Sequence, residues 1–209
     1  MKQCLFTEIL TCVITLGVFA QETTPPAEAI RAAHDRFTQF LTRAVTEDTK
    51  TLVGFDAGDN LNRAVLGEPF RIYTLSADSI RHYNGTSPLR SIVSETNMWY
   101  FPIRIDGKIK MMLYVGKKNG VWMRAGLGSA GLAGKMQEIT TQWSHSKGYT
   151  PMVVQQYDIG AYLYSIPQVD AYNLTETGHI IAKNGLGKSA SSLKTLNATI
   201  NDLRTRIAR

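Results

Sequence analysis

The sequence has very little cysteine. Of its 209 residues only Cys4 and Cys12 are cysteines, and both lie within the first twenty positions. A chain that loses this segment has no thiol, so it forms no disulfide, ligates no metal through cysteine and has no cysteine nucleophile. Its stability must come from a packed core, and a chain of about 190 residues buries roughly 70% of the surface that its unfolded form exposes.

Long apolar runs and catalytic motifs are also lacking. The apolar run at residues 9–20 is shorter than the roughly 20 residues that span a bilayer. The four histidines, at positions 34, 82, 145 and 179, form no metal-binding pair and lie in no recognisable triad context. We therefore predict no catalytic residue, no metal, no cofactor and no transmembrane segment in the mature chain.

The first twenty residues have the pattern of a secretory signal. Lys2 supplies a positive start, Glu8 is the last charge before the apolar run, and Ala20 is a small residue suited to cleavage before Gln21. We expect an exported protein, periplasmic or extracellular, with residues 1–20 removed. The net charge of +6 favours acidic partners, but the positive charges are scattered and we expect no nucleic-acid binding.

The remaining chain divides into three parts. Residues 21–183 are predicted to form one domain, residues 184–188 a glycine-rich linker, and residues 189–209 an amphipathic helix. Two further helices are indicated by apolar residues spaced three and four apart, one over residues 27–47 and one around residues 132–143. The apolar seam of the last helix either folds back onto the domain or mediates self-association or binding of a protein partner.

The middle of the chain alternates apolar and polar residues with a period of two. The alternation runs through residues 99–106, 108–115 and 121–125, and glycine turns at Gly107 and Gly120 separate the three runs. Such a pattern predicts an antiparallel β-meander. Together with the helices it indicates an α+β fold, in which the N-terminal and mid-chain helices pack on the meander sheet and an amphipathic helix ends the chain.

The register of the meander follows from keeping one face apolar. Three-residue loops at 105–107 and 118–120 would pair Ile103 with Ile109 and Val115 with Met123. In that register the second face combines aromatic and basic side chains, a composition suited to an acidic or flat ligand. The candidate ligand-binding residues on this face are Tyr100, Arg104, Lys110, Tyr114, Trp122 and Arg124. A helix that covered this face would make the same side chains part of the core.

A glycine motif follows the third strand. Gly126, Gly128 and Gly131 match G-x-G-x-x-G, but the preceding strand belongs to an antiparallel meander, so we interpret the motif as a tight strand-to-helix bend and leave anion binding there as the alternative. Ser129 within it supports a second hypothesis, a secreted hydrolase.

The oxygen donors Asp56, Asp59, Asn60 and Asn62 miss the spacing of a calcium loop and indicate a loop or helix cap.

Two functions remain open at this point. The first, which we favour, is an exported non-enzymatic binding or interaction domain that uses the aromatic and basic sheet face. The second is a secreted hydrolase with its site near Ser129.

Overall fold

The computed structural model describes residues 24–128, 130–149, 152–158, 160–165, 180–182 and 196–208. The strands are β1 (Val65–Leu66), β2 (Phe70–Thr74), β3 (Ser94–Ile105), β4 (Lys108–Lys118), β5 (Val121–Gly128), β6 (Met152–Gln156), β7 (Ala161–Ser165) and β8 (Ile180–Ala182). The α-helices are α1 (Ala27–His34), α2 (Phe37–Ala44), α3 (Ala77–Arg81), α4 (Ala130–Gln142) and α5 (Leu196–Ile207). Short 3-10 turns cover Leu61–Arg63, Leu89–Ser91 and His145–Lys147.

All the described strands belong to one sheet. Seven of them lie in the order β5-β4-β3-β2-β6-β7-β8, and the two-residue β1 pairs with β3. Every pairing between these described strands is antiparallel except that of β2 with β6. The expected α+β class, with a mostly antiparallel sheet, is confirmed. The parallel pair arises because the chain leaves β5, forms α4 and returns to the far side of β2.

The predicted first helix is two helices. The chain breaks at Asp35 and Arg36, and Arg36 has left-handed backbone angles, with φ of 45°. The buried residues Ala29 and Ala33 of α1 and Phe37 and Leu41 of α2 still face one core cluster. The spacing of apolar residues continues across the break, which is why periodicity alone predicted one helix.

The two hairpins differ from the predicted register. Each turn has two residues, and the central pairs Asp106-Gly107 and Asn119-Gly120 all have positive φ, as type I′ turns require. Ile103 therefore pairs with Met111, and Met123 pairs with Gly116. The predicted three-residue loops are wrong. Each hairpin has a two-residue turn instead, and a β-bulge further along its strands brings the apolar residues back to the same face. The extra residue is Lys110 in the first hairpin and Ala125 in the second.

The sheet is covered on both faces. On the first face, α1 and α2 pack over β3, β4 and β5, and α3 and α5 pack over β2, β6 and β7. On the second face, α4 packs over β4, where its Leu132 and Met136 share a cluster with Tyr100 and Met112. The burial of these apolar clusters is the main source of stability, because the core contains no disulfide.

The C-terminal helix α5 is docked on the body of the protein. Leu196, Ile200 and Leu203 are buried in the cluster that contains Ile80 of α3. The Arg204 guanidinium donates to the Ile80 carbonyl at 2.8 Å, which satisfies a carbonyl at the end of α3. Of the two alternatives for the apolar seam, the described part of the helix therefore takes the first, since it folds back onto the domain. The predicted linker at 184–188 lies outside the described residues.

Candidate functional site

The six predicted ligand-binding residues do not share one face of the sheet. Tyr100 and Tyr114 are paired across β3 and β4, and Arg104 lies on the same face beside Ile109. The bulge at Ala125 places Trp122 and Arg124 on the opposite face, where Trp122 packs against the cluster beneath α1 and α2. The predicted composite face is therefore wrong in its geometry, because one extra residue reverses the orientation of the rest of the strand.

Tyr100 belongs to the core. Its side chain is 3% exposed beneath α4, and its ring lies 4.3 Å from that of Tyr114, measured between centroids. The Tyr100 hydroxyl is 3.4 Å from both the Gln155 Oε1 atom and the Tyr162 hydroxyl. Burial, reinforced by Tyr162, raises the pKa of Tyr100, so the phenol stays protonated. This part of the second face is therefore covered by a helix and belongs to the core, which is the alternative to an open ligand-binding face.

The glycine motif makes room for Tyr114. A Cβ atom at Gly128 would lie 2.8 Å from the Tyr114 hydroxyl, and one at Gly126 would lie 3.7 Å from its ring. The Tyr114 ring thus packs against the backbone of β5 on the face where Gly126 and Gly128 have no side chain. Gly126 also has a φ of 154°, which side-chain-bearing residues rarely adopt. Packing accounts for two of the three glycines. Ser129, the proposed nucleophile of the hydrolase hypothesis, lies outside the described residues.

Lys110 belongs to a cluster of ions at the start of β4. Its ammonium lies 2.5 Å from Asp56 Oδ2 and 2.9 Å from Asp59 Oδ2, and its side chain is only 8% exposed. Burial by itself lowers the pKa of Lys110, but the hydrogen bonds and charges of both carboxylates outweigh this and raise it. The hydrogen bond and charge of Lys110 in turn lower the pKa of Asp56. Asn60 Oδ1 accepts from the Asn62 amide, which confirms the helix-cap interpretation of this segment.

The two predicted arginines are incompletely paired. Arg124 lies 3.9 Å from Asp35 and 4.6 Å from the centre of the Phe40 ring, and Arg104 donates to the Gly107 carbonyl at 3.0 Å. Among the described residues, neither Arg104 Nε nor Arg124 Nη1 has a hydrogen-bond partner, although both atoms are buried. Water or a ligand is the usual partner of such a donor.

Strand β5 forms one edge of the described sheet, since only β4 pairs with it there. Its regular part runs from Val121 to Arg124, before the bulge. Val121 and Met123 are 65% and 46% exposed on the face shared with Met98, and Gly116 lies between the two methionines. A small apolar shelf thus lies beside open backbone hydrogen-bonding groups. Such an edge is a template for another strand.

The same edge is basic. Lys117 and Lys118 are exposed, and within the described part of the chain neither forms an ion pair. The Lys117 ammonium lies 5.9 Å from the centre of the Trp122 ring, and Arg124 follows two residues along β5. We call this set the β5 edge surface; it comprises Met98, Gly116, Lys117, Lys118, Val121, Trp122, Met123 and Arg124.

Sequence reasoning identified Trp122 and Arg124 but missed Val121 and Met123. It placed Met123 in the apolar core because it assumed a three-residue loop. The signal that identifies them is the Asn119-Gly120 pair, since Asn-Gly specifies a two-residue type I′ turn and therefore pairs Lys118 with Val121.

Three further observations bear on function. Within the described ranges, no group of histidine, cysteine, aspartate or glutamate side chains is suited to hold a metal ion. No helix among those ranges combines the length and apolar character needed to cross a membrane. Comparison of the chain with protein-family models, curated proteins and solved structures found no match.

Proposed function

We propose that this protein is an exported, non-enzymatic binding domain that takes up a short, extended, acidic segment of another polypeptide along β5. The observation that carries the proposal is the exposed shelf of Val121 and Met123 beside the outer edge of β5. Strand addition of this kind obtains affinity from main-chain hydrogen bonds and specificity from alternate side chains.

The geometry specifies what the segment should look like. Every second side chain of a strand added to β5 lies beside Val121 and Met123 on the same face of the sheet. Valine, isoleucine or leucine is favoured at those positions. The side chains between them point toward the face of Trp122 and Arg124, with Lys117 beside them. Aspartate or glutamate at those positions complements the positive charge. The bulge at Ala125 limits the regular contact to about four residues of β5.

The charge of the edge also argues against a second copy of this chain as the occupant. Two β5 edges placed side by side would bring the basic residues Lys117, Lys118 and Arg124 of both copies together. Lys117 and Lys118 lie on β4, next to the edge strand, and bringing like charges together at an interface is unfavourable. An acidic partner is favoured by the same charges.

The test uses a synthetic hexapeptide that alternates glutamate and valine, with both ends blocked. We expect the purified protein to bind it with micromolar affinity, weakening as salt is raised, and to show slowed amide exchange in residues 121–124. The Val121→Lys/Met123→Lys variant should bind at least about tenfold more weakly, because it places two charges on the apolar shelf. Calorimetry measures the affinity, and hydrogen exchange locates the contact.

The matched control is Leu52→Lys, an apolar-to-charged change at a side chain that is 83% exposed elsewhere. All variants should melt within about 2 °C of the wild type, since the altered side chains are exposed. Equal loss of binding in the control, protection outside β5, or equal affinity for a lysine–valine hexapeptide would contradict the proposal. A double variant that unfolds would show that the shelf belongs to the core.

Export is a separate part of the proposal. It rests on the charge and apolar pattern of residues 1–20. Expressed as the full chain in a bacterial host, the protein should be recovered outside the cytoplasm with Gln21 as its first residue, as read by N-terminal sequencing. Recovery only from the cytosol, with Met1 retained or merely trimmed, would refute it.

A further inference from the structure

A cavity of about 460 Å³ lies at the corner between α1 and α2. The lining residues at the corner are His34 and Arg36 to Gln39, and those opposite are Ala64 and both residues of β1. Its volume falls within the range of small-molecule sites. Phe37 and Ala64 form a buried apolar part of the wall, being 8% and 6% exposed.

Three polar side chains at the cavity have no hydrogen-bond partner among the described residues. His34, Arg36 and Gln39 are exposed, and their side chains make no hydrogen bond or ion pair with any residue that the structure describes. None of the described lining residues has an acidic side chain. Asp35, the acid within the corner, lies 3.9 Å from Arg124 instead. The cavity therefore presents uncompensated positive charge next to an apolar wall.

Arg36 is held in an unusual conformation at this corner. Its φ of 45° and ψ of 38° are left-handed, a region that is unfavourable for most residues and that glycine and asparagine enter readily. A long cationic side chain at this position is not explained by backbone geometry. Arg36 is one of the residues that line the cavity, next to Phe37.

We infer that this cavity binds a small amphipathic carboxylate. The Arg36 guanidinium pairs with the carboxylate, since its planar fork matches the two oxygens. His34 and Gln39 supply further donors, and the apolar tail packs on Phe37, Ala64 and Leu66. A single arginine suits one negative charge, and the apolar wall favours an organic acid over inorganic phosphate.

The experiment uses decanoate as the probe, with 1-decanol and inorganic phosphate as comparison ligands. Decanoate should bind at least about tenfold more tightly than either, because only it satisfies both the charge and the apolar wall. Arg36→Gly should weaken decanoate binding at least about tenfold, yet should not lower the melting temperature, since glycine relieves the strained φ. Calorimetry and thermal melts give the two readouts.

The matched control is Arg43→Ala, which removes an arginine of α2 that does not line the cavity. It should bind decanoate like the wild type. Equal binding of decanol or phosphate, equal loss in the Arg43 variant, or unchanged binding in the Arg36 variant would overturn the inference. Loss of decanoate binding in the Val121→Lys/Met123→Lys variant would place the ligand on the β5 edge surface, which also overturns it.

Discussion

Gly54→Ala should destabilise the protein by about 3 kcal/mol, the largest effect that we expect of a single methyl group in this fold. A Cβ atom at this position would lie 2.5 Å from Ala130 Cβ and 2.9 Å from the Lys110 carbonyl oxygen. The φ of 107° is also one that side-chain-bearing residues rarely adopt. Thermal unfolding should show a melting temperature lower by about 10 °C.

The chain supplies its own control for this change. Gly58 lies in the same loop, has no positive φ, and has no atom within 4 Å of an added Cβ. Gly58→Ala should therefore change the free energy of unfolding by no more than about 0.5 kcal/mol. Adding Ala130→Gly to Gly54→Ala should restore only part of the lost stability, because the contact with the Lys110 carbonyl remains. Equal melting temperatures for both glycine variants would refute the close approach of this loop to β4.

Lys110→Met should lower the free energy of unfolding by about 2 kcal/mol at neutral pH. The substitution keeps the length of the side chain but removes the cation that Asp59, whose side chain is 11% exposed, contacts at 2.9 Å. Removing one partner of a buried ion pair leaves the other charge poorly compensated. The expected loss is smaller than for a fully buried pair because the side chain of Asp56, the other partner, is 76% exposed. Chemical denaturation measures the difference.

The pH dependence should change in a defined direction. The pKa of Asp56 is lowered in the folded state from 3.8, so its contribution is present above that value and is lost as pH falls through the folded pKa. The pKa of Lys110 is raised from 10.5, so its contribution is complete below 10.5 and is lost as pH rises through the folded pKa. Denaturation of Lys110→Met should therefore depend less on pH in both windows than that of the wild type. The control variant Glu47→Gln alters the exposed partner of Lys50 and should keep the pH dependence of the wild type in both windows. A pH profile of Lys110→Met identical to that of the wild type would refute the coupling between Lys110 and Asp56.

The candidate site was only partly predictable. Trp122 and Arg124 were identified because they alternate with the apolar residues Val121 and Met123 in the third run of the meander. Tyr100 and Lys110 were proposed for the same surface, but one is covered by α4 and the other is held by Asp56 and Asp59. Neither contact is visible in local sequence, since each joins residues that are tens of positions apart.

The centre of the sheet was also missed. Strand β2 has five residues, and its sequence, Phe-Arg-Ile-Tyr-Thr, mixes apolar and polar types too briefly for a period to be recognised. It nevertheless joins the antiparallel strands β3–β5 to the pair β6 and β7, through its parallel contact with β6. A parallel pairing depends on a crossover elsewhere in the chain, which here is α4.

The sequence by itself determined the type of most elements and the source of stability. Apolar spacing of three and four indicated helices, alternation indicated strands, and the absence of cysteine after position 12 left packing as the source of cohesion for the rest of the chain. Only the tertiary structure decided which side chains face one another. The reason is that side chains alternate with a period of two, so a single bulge residue, at Lys110 or at Ala125, reverses every position that follows it. Where a bulge forms depends on the fit of the paired strands and of the helices above them, and those contacts exist only once the chain has folded.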